Sequence, residues 1–268
     1  MLCASESFKY WRGGEMDVRV YDPRNPWYDA ANNDHVIGQF LWPGFDYLGE
    51  SNRWPLKGWN TGILDTCGFL KPEGWFHRSV WRSEPVVRIA ILRDDPVGAE
   101  ASPWAAPAMA EHWNLPAAMN GKLVRVATQT NCETVELKLN GRTLGRRPAA
   151  DFLNASPLWF VPYAAGTIEA IGRRGGKVAA RHVLRTSGPA SRVELVGDRT
   201  TIRADGQDVA HVEMRLLDKA GVPVPDDDRL VRFRLAGPAT ILGVDNGDLE
   251  SLEPYRGSAR TTCGGRWR

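Results

Sequence analysis

Cysteine is scarce in this sequence, and its spacing shows no pattern. The four cysteines stand singly, without the Cys-x-x-Cys or histidine-rich spacing of a zinc site and without the density of a disulfide framework. We therefore expect no metal and no cofactor. A cysteine on a buried strand packs as a small apolar side chain, so we assign no catalytic role to any of the four. They are Cys3, Cys67, Cys132 and Cys263.

An excess of one charge and a long apolar run are also missing. The 34 basic and 32 acidic residues among 268 give a formal net charge of +2, which argues against nucleic acid and a membrane surface as partners. No apolar stretch approaches a membrane span, and the first six residues do not resemble a signal peptide. Localisation stays open, since a periplasmic or secreted protein would need a signal peptide upstream in a longer parent.

Tryptophan, in contrast, is abundant and unevenly distributed. Nine of the eleven tryptophans precede residue 114. Core packing explains most of them, because burying an indole contributes about 4–6 kcal/mol at roughly 25 cal/mol per Å². The flat apolar ring also matches the apolar face of a pyranose. Trp42 stands at a predicted strand end, so we expect its indole to face a substrate.

The run from residue 35 to residue 50 has the pattern of a strand followed by a functional turn. Trp42 closes an apolar strand pattern, and Pro43-Gly44 signals a turn. Two acids, Asp46 and Glu50, come just beyond the strand end. In (β/α) barrels the active site lies at the carboxyl ends of the strands. We therefore expect Trp42, Asp46 and Glu50 to contribute to a substrate-binding site.

Structural roles for these charged residues are the alternative. Asp46 and Glu50 could cap turns or pair with Arg12 or Arg53. For Lys71, we interpret the side chain as part of a solvated face rather than as a ligand to substrate hydroxyls.

After residue 92 the pattern changes to short alternating strands separated by turns, which is typical of β-sandwiches. Asn140-Gly141 is a two-residue hairpin signal, and residues 93–107 and 186–190 are interpreted as linkers. The last twelve residues are basic and contain glycine, so we expect them to form no closing strand and to leave an exposed sheet edge. Strands are predicted at 122–130, 134–145, 158–163, 166–171, 177–183, 192–197, 200–204, 208–218, 229–237 and 239–245.

An ordered series of motifs resembles glycoside hydrolase family 2, most closely its bacterial β-galactosidase-like branch. The resemblance covers the end of the catalytic barrel, the β-sandwich that follows it and a terminal immunoglobulin-like domain. The barrel motifs are Leu2 to Glu6, Tyr10 to Gly13, Asn25 to Trp27, Gly38 to Glu50, Gly62 to Lys71 and Ser79 to Trp81. The later motifs are Val135 to Gly141, Trp159 to Tyr163, Ala204 to Gly206 and Val244 to Asp248.

The resemblance implies a mixed fold. Residues 1–92 would be the end of a (β/α)8 barrel, residues 93–186 a β-sandwich, and residues 187–268 an immunoglobulin-like sandwich without its last strand. It implies that Glu6 is the nucleophile of a retaining glycosidase and that Trp42 lines the sugar subsite. The family's acid/base lies on an Asn-Glu pair of an earlier strand, which is absent before Glu6, so we interpret the sequence as a truncated, inactive fragment or a separately encoded half.

Three functions remain open from the sequence. The first is a segment of a family 2 glycosidase that hydrolyses a terminal β-linked sugar, with a galactoside favoured because residues 1–92 lack the Asn-x-Lys signature of glucuronidases. The second is a carbohydrate-binding or accessory module without catalysis. The third is a structural fragment whose partner is the missing barrel half on another chain.

Overall fold

The computed structural model describes residues 4–5, 25, 27–51, 53–93 and 108–267, with only the backbone of 4–5 and 267. Most of the regular structure in these ranges is strand, with two short α-helices. The helices are α1 (Trp27–Asn32) and α2 (Gly74–Trp81). The strands are β1 (Ala4–Ser5), β2 (Gln39–Phe40), β3 (Tyr47–Leu48), β4 (Gly58–Trp59), β5 (Val87–Leu92), β6 (Met109–Ala110), β7 (Leu123–Thr130), β8 (Thr134–Leu139), β9 (Arg142–Pro148), β10 (Leu158–Pro162), β11 (Thr167–Arg174), β12 (Lys177–Arg185), β13 (Arg192–Gly197), β14 (Val212–Leu217), β15 (Leu230–Arg232), β16 (Ala259–Thr261) and β17 (Arg266–Trp267).

The chain divides into two compact units. The first unit comprises residues 1–46, 60–64 and 70–185, and the second comprises residues 47–59, 65–69 and 186–268. The division into three domains at residues 92 and 186 stays a prediction. One detail differs from it: β5 lies in a sandwich sheet between β7 and β6, so the predicted limit at 92 follows the first sandwich strand instead of preceding it.

Two four-stranded antiparallel sheets form the sandwich of the first unit. Their strand orders are β10-β7-β5-β6 and β12-β11-β8-β9. Alternate residues of each strand point to one face of its sheet, which explains why the sequence pattern predicted β7 to β12. β5 and β6 were not predicted as strands of this sandwich. The buried apolar side chains of the sandwich form one core of Val87, Ile89, Ile91, Ala110, Trp113, Val124, Val126, Val135, Leu137, Trp159, Val161, Tyr163, Ile168, Ala170 and Leu184.

The predicted Asn-Gly hairpin between β8 and β9 is confirmed. Asn140 and Gly141 have φ angles of 49° and 80°, and Leu139 pairs with Arg142 across the turn. Two consecutive positive φ angles are the geometry of a type I′ turn, whose twist matches that of the flanking strands.

The second unit has less regular structure than its sequence pattern predicts. β13 and β14 confirm the strands predicted at 192–197 and 208–218, and β15 occupies three residues of the strand predicted at 229–237. Residues 200–204 and 239–245 contain no strand, so those two predictions are wrong. Both segments carry several exposed side chains, Ile202 and Leu242 among them, and therefore lack the buried face that stabilises a strand.

The carboxy-terminal tail corrects another expectation. It forms β16, which pairs with β15, and β17, which pairs with β14. Gly264 and Gly265 have φ angles of 60° and 69° and lie between the paired residues Cys263 and Arg266. The glycines that suggested an irregular end are the turn of a hairpin, and the prediction that the tail contributes no strand is wrong.

The amino-terminal part contributes only short elements. β1 and β2 pair in parallel, and a second parallel bridge joins Phe45 to Leu64. Parallel pairing is the arrangement of (β/α) barrels, but the described residues do not form a closed barrel. Neither helix within the described ranges has the length and apolar character needed to cross a membrane.

Candidate functional site

The turn that follows β2 carries the tryptophan expected to face substrate. Trp42 comes two residues after β2, and its side chain is 62% exposed. In the parallel pair, Ala4 lies opposite Gln39 and Ser5 opposite Phe40. The carboxyl ends of β1 and β2 therefore lie at the same edge, and Trp42 follows the end of β2 there.

Backbone hydrogen bonds tie this turn to residues 62–64. Asp46 N–H donates to the carbonyl of Leu64 at 2.8 Å, and Leu64 N–H donates to the carbonyl of Gly44 at 3.0 Å. The approach is close enough to require glycine at position 62, because a Cβ there would lie 2.2 Å from the backbone of Phe45 and Asp46. The base of the turn is thus fixed by its close contact with residues 62–64, which is possible because residue 62 is glycine.

The Asp46 carboxylate is buried beneath the turn. Its Oδ1 accepts hydrogen bonds from Gly62 N–H at 2.8 Å and from Lys71 Nζ at 2.9 Å. Lys71 Nζ also donates to the carbonyl of Asn60 at 2.6 Å. The side chain of Lys71 is only 14% exposed and that of Asp46 4%, so the interpretation of Lys71 as a solvated lysine is wrong. Sequence spacing gave no signal for this pair, since its members lie on separate segments.

A second carboxylate, missed from the sequence, lies at the edge of this pair. Glu73 Oε1 is 4.0 Å from Lys71 Nζ, directly before α2. Burial raises the pKa of Glu73 above its ordinary value, and the neighbouring charge of Lys71 opposes part of that rise. Glu73 consequently holds its proton to a higher pH than an exposed glutamic acid.

The acid Glu50 has different surroundings. It is exposed, belongs to the second unit and accepts a hydrogen bond from the Tyr47 hydroxyl at 3.3 Å. Arg53, proposed as a partner for these acids, pairs with Glu250 at 3.0 Å. Glu6, the expected nucleophile, lies outside the described residues. The structure therefore places Trp42 and Asp46 on one turn and leaves the other two assignments as predictions.

The acids, histidines and cysteines in the described ranges offer no metal site. No group of three or more of these residues is placed there to hold a metal ion. The chemistry available at the Trp42 turn is that of an exposed indole supported by a buried ion pair. Such an arrangement suits an uncharged ligand with an apolar face and hydroxyl groups.

The described residues are mostly β-structure, with a two-sheet sandwich in the first unit, and comparison with known proteins identifies the family. Residues 193–268 match the model described as glycoside hydrolase family 2 C-terminal domain 5, and residues 121–180 match a domain of unknown function, DUF4982.

Similar proteins come from several bacteria. β-Galactosidase BoGH2A of Bacteroides ovatus is 31% identical over 239 residues, which are 88% of this chain and 25% of that protein. A Formosa agariphila protein with a provisional β-glucuronidase name is 28% identical over 236 residues, which are 86% of this chain and 21% of that protein. The crystal structure of a family 2 member from Bacteroides cellulosilyticus superposes with a TM-score of 0.86 at 29% identity, covering 98% of this chain and 35% of that one.

The chain belongs to glycoside hydrolase family 2, whose members are glycosidases that hydrolyse O-glycosyl compounds, and it corresponds to a carboxy-terminal part of them. It spans 25% of the length of the β-galactosidase that it matches.

Proposed function

We propose that the chain supplies the carboxy-terminal part of a retaining β-glycosidase that hydrolyses terminal β-linked sugars, with a β-galactoside as substrate. Similarity to a Bacteroides ovatus β-galactosidase supports the reaction and the sugar. In this proposal residues 1–92 contribute the last strands of a (β/α)8 barrel, completed by a barrel half outside this sequence, and the two β-rich parts that follow are accessory sandwiches.

The parallel pairing of β1 and β2 carries the proposal. Ser5 lies opposite Phe40 in that pair, and the next residue in the sequence after β1 is Glu6. Parallel neighbours end at the same edge of a sheet, which is where barrel enzymes hold their catalytic groups. Glu6 would attack the anomeric carbon and form a covalent glycosyl intermediate, while Trp42 would pack against the apolar face of the sugar.

The other two predicted residues take supporting parts. Asp46 acts beneath the turn through Lys71, because a carboxylate with 4% side-chain exposure is closed to a sugar. Glu50 is exposed and would accept hydrogen bonds from sugar hydroxyls. The general acid that a retaining glycosidase needs about 5 Å from its nucleophile would come from the missing barrel half.

Aryl galactosides with a strongly acidic phenol test the nucleophile separately from the general acid. Dinitrophenolate departs without protonation, so Glu6 alone can displace it. We expect dinitrophenyl β-galactoside to leave a galactosyl adduct on the Glu6 peptide, detected by mass spectrometry, and Glu6→Gln to form none. Methyl β-galactoside should not turn over, because its leaving group needs the acid.

The outcomes separate the candidate functions. An adduct that persists in Glu6→Gln would overturn the nucleophile assignment, and one formed equally from the β-glucuronide would overturn the choice of sugar. A folded chain with no adduct favours an accessory carbohydrate-binding or structural module. The observation behind that alternative is the first unit's apolar core, which is built entirely from residues 87–184.

A further inference from the structure

The ammonium of Lys71 is surrounded by acceptors from three segments. Asn60 O lies 2.6 Å away, Asp46 Oδ1 2.9 Å and Glu73 Oε1 4.0 Å. A lysine ammonium is a compact charge with three donors; here it donates to Asn60 and Asp46, and Glu73 is a more distant ion-pair neighbour. Asp46 belongs to the Trp42 turn, and Asn60 lies just before residues 62–64, to which that turn is hydrogen-bonded.

Asp46 passes this anchoring to the turn at two points. Its carboxylate is held by Lys71 and by Gly62 N–H, and its own N–H is held by the carbonyl of Leu64. Losing the ammonium would take away the charged donor of a buried carboxylate. Such a carboxylate recovers hydration by moving towards solvent, and it would take its backbone with it.

Pro43 extends the constraint from the anchored base to Trp42. A proline ring fixes its own φ and restricts the backbone of the residue before it. Gly44, next in the chain, accepts the hydrogen bond from Leu64 N–H. Pro43 and the Gly44 hydrogen bond thus restrict the backbone between Trp42 and the anchored base, so we expect a shift at Asp46 to be transmitted to Trp42.

We infer that Lys71 is a positioning residue, which sets the orientation of the Trp42 indole through Asp46 without touching the sugar itself. The sugar as ligand rests on the proposed function above, whereas the control of Trp42 by Lys71 does not. The positioning role rests on the distances from Lys71 to Asp46 and Asn60 and on the burial of its side chain. The sequence position of Lys71 indicates none of these.

Fluorine NMR of the full chain labelled with 5-fluorotryptophan tests this inference, with Trp42→Phe assigning the Trp42 resonance. We expect Lys71→Met, which keeps the length of the side chain but removes the charge, to shift or broaden that resonance. Asp46→Asn should do the same. Lys71→Arg, which retains a cation, should bring the resonance back towards its original position.

Arg88→Met is the matched control. Arg88 pairs with Glu111 at 3.2 Å in the same unit, with side chains more exposed than those of Lys71 and Asp46, and its guanidinium lies 4.0 Å from the centre of the Trp75 ring. We expect it to move the Trp75 resonance and leave that of Trp42 in place. The inference is overturned if Lys71→Met lowers the melting temperature without moving the Trp42 resonance, or if Met and Arg at position 71 shift it equally.

Titration with methyl β-galactoside separates the two proposals. A Trp42 shift in the unmodified chain that weakens in Lys71→Met supports both. A Trp42 resonance that responds to Lys71→Met but not to the galactoside supports the positioning role and counts against galactoside binding by this chain.

Discussion

The two compact units are stabilised in different ways. The first buries a core of fifteen apolar residues between two four-stranded sheets, whereas the main apolar cluster described for the second has three buried members, Met214, Leu216 and Val224. The second unit depends more on a buried charge, because Arg260 is fully buried among polar partners. An apolar core tolerates small changes of shape, while a buried charge depends on every partner being in place.

Arg260 is the centre of that polar network. Its guanidinium donates to the carbonyl of Glu253 at 2.8 Å and to Asn246 Oδ1 at 3.0 Å, and Asp245 Oδ1 lies at 3.5 Å. These partners come from the irregular segment 245–253, which has little strand structure to hold it. The buried arginine therefore holds a segment that has no strand of its own.

Removing the charge of Arg260 is expected to change the stability of one unit relative to the other more than any other substitution. Arg260→Met should lower the free energy of unfolding of the second unit by about 3–5 kcal/mol, the usual cost of breaking a buried ionic network. Hydrogen exchange measured by mass spectrometry should lose protection in residues 186–267 and keep it in residues 108–185. Arg229→Met, which removes an exposed pair with Asp227, should lower the free energy of unfolding far less. Equal effects of the two substitutions would contradict the assigned importance of burial.

The corresponding test in the first unit is a substitution that creates a cavity in its apolar core. Leu137 is fully buried on β8, and Leu137→Ala should lower the free energy of unfolding by about 2–5 kcal/mol. Protection should then be lost in residues 108–185 and kept in the second unit. Leu123→Ala, at a side chain that is mostly exposed, is the control and should leave protection unchanged.

Acid should weaken the first unit selectively. Burial lowers the pKa of His77 to about 4, and burial together with the charge of Arg88 lowers the pKa of His182 to about 3. The unfolded chain binds these protons near pH 6.5, so the stabilisation is complete above that pH and falls as the pH drops towards the folded values. Between pH 7 and pH 5, protonation of each histidine in the unfolded chain should lower the free energy of unfolding by about 2 kcal/mol, at about 1.4 kcal/mol per unit of pKa.

Urea unfolding at several pH values checks this expectation. His182→Gln, which keeps an acceptor for the Ile89 N–H that now bonds the His182 ring at 3.0 Å, should flatten the acid dependence of the first unit. His211 in the second unit is exposed, and His211→Gln is the matched control, which should leave that dependence as it was.

The smallest expected effect concerns a turn. Gly141 has a φ of 80°, with no atom within 4 Å of the position that a Cβ would take. Gly141→Ala should therefore cost only the conformational term of about 1–2 kcal/mol, measured as a lower melting temperature. Gly257, which also has open space but no positive φ, should tolerate alanine within about 0.5 kcal/mol. A stabilising Gly141→Ala would contradict the type I′ geometry.

Sequence reasoning succeeded and failed for identifiable reasons. The sandwich strands of the first unit alternate apolar and polar residues, and Asn140-Gly141 encodes its own turn, so both could be read locally. The tail strands β16 and β17 were missed because their pairing partners, β15 and β14, lie far away in the sequence. The role of Lys71 was missed for the same reason, since its acceptors lie on two other segments.

The residue pattern alone was sufficient for the family resemblance and for most strands of the first sandwich, while the choice of Trp42 as a substrate-facing indole stays a prediction. The three-dimensional fold was needed to show that Asp46 is buried in an ion pair with Lys71, that Glu50 belongs to the other unit and that Arg260 is fully buried. Periodicity and turn chemistry act between near neighbours, so a sequence displays them directly. Burial and ion pairing depend on which distant segments meet, and only folding brings those segments together.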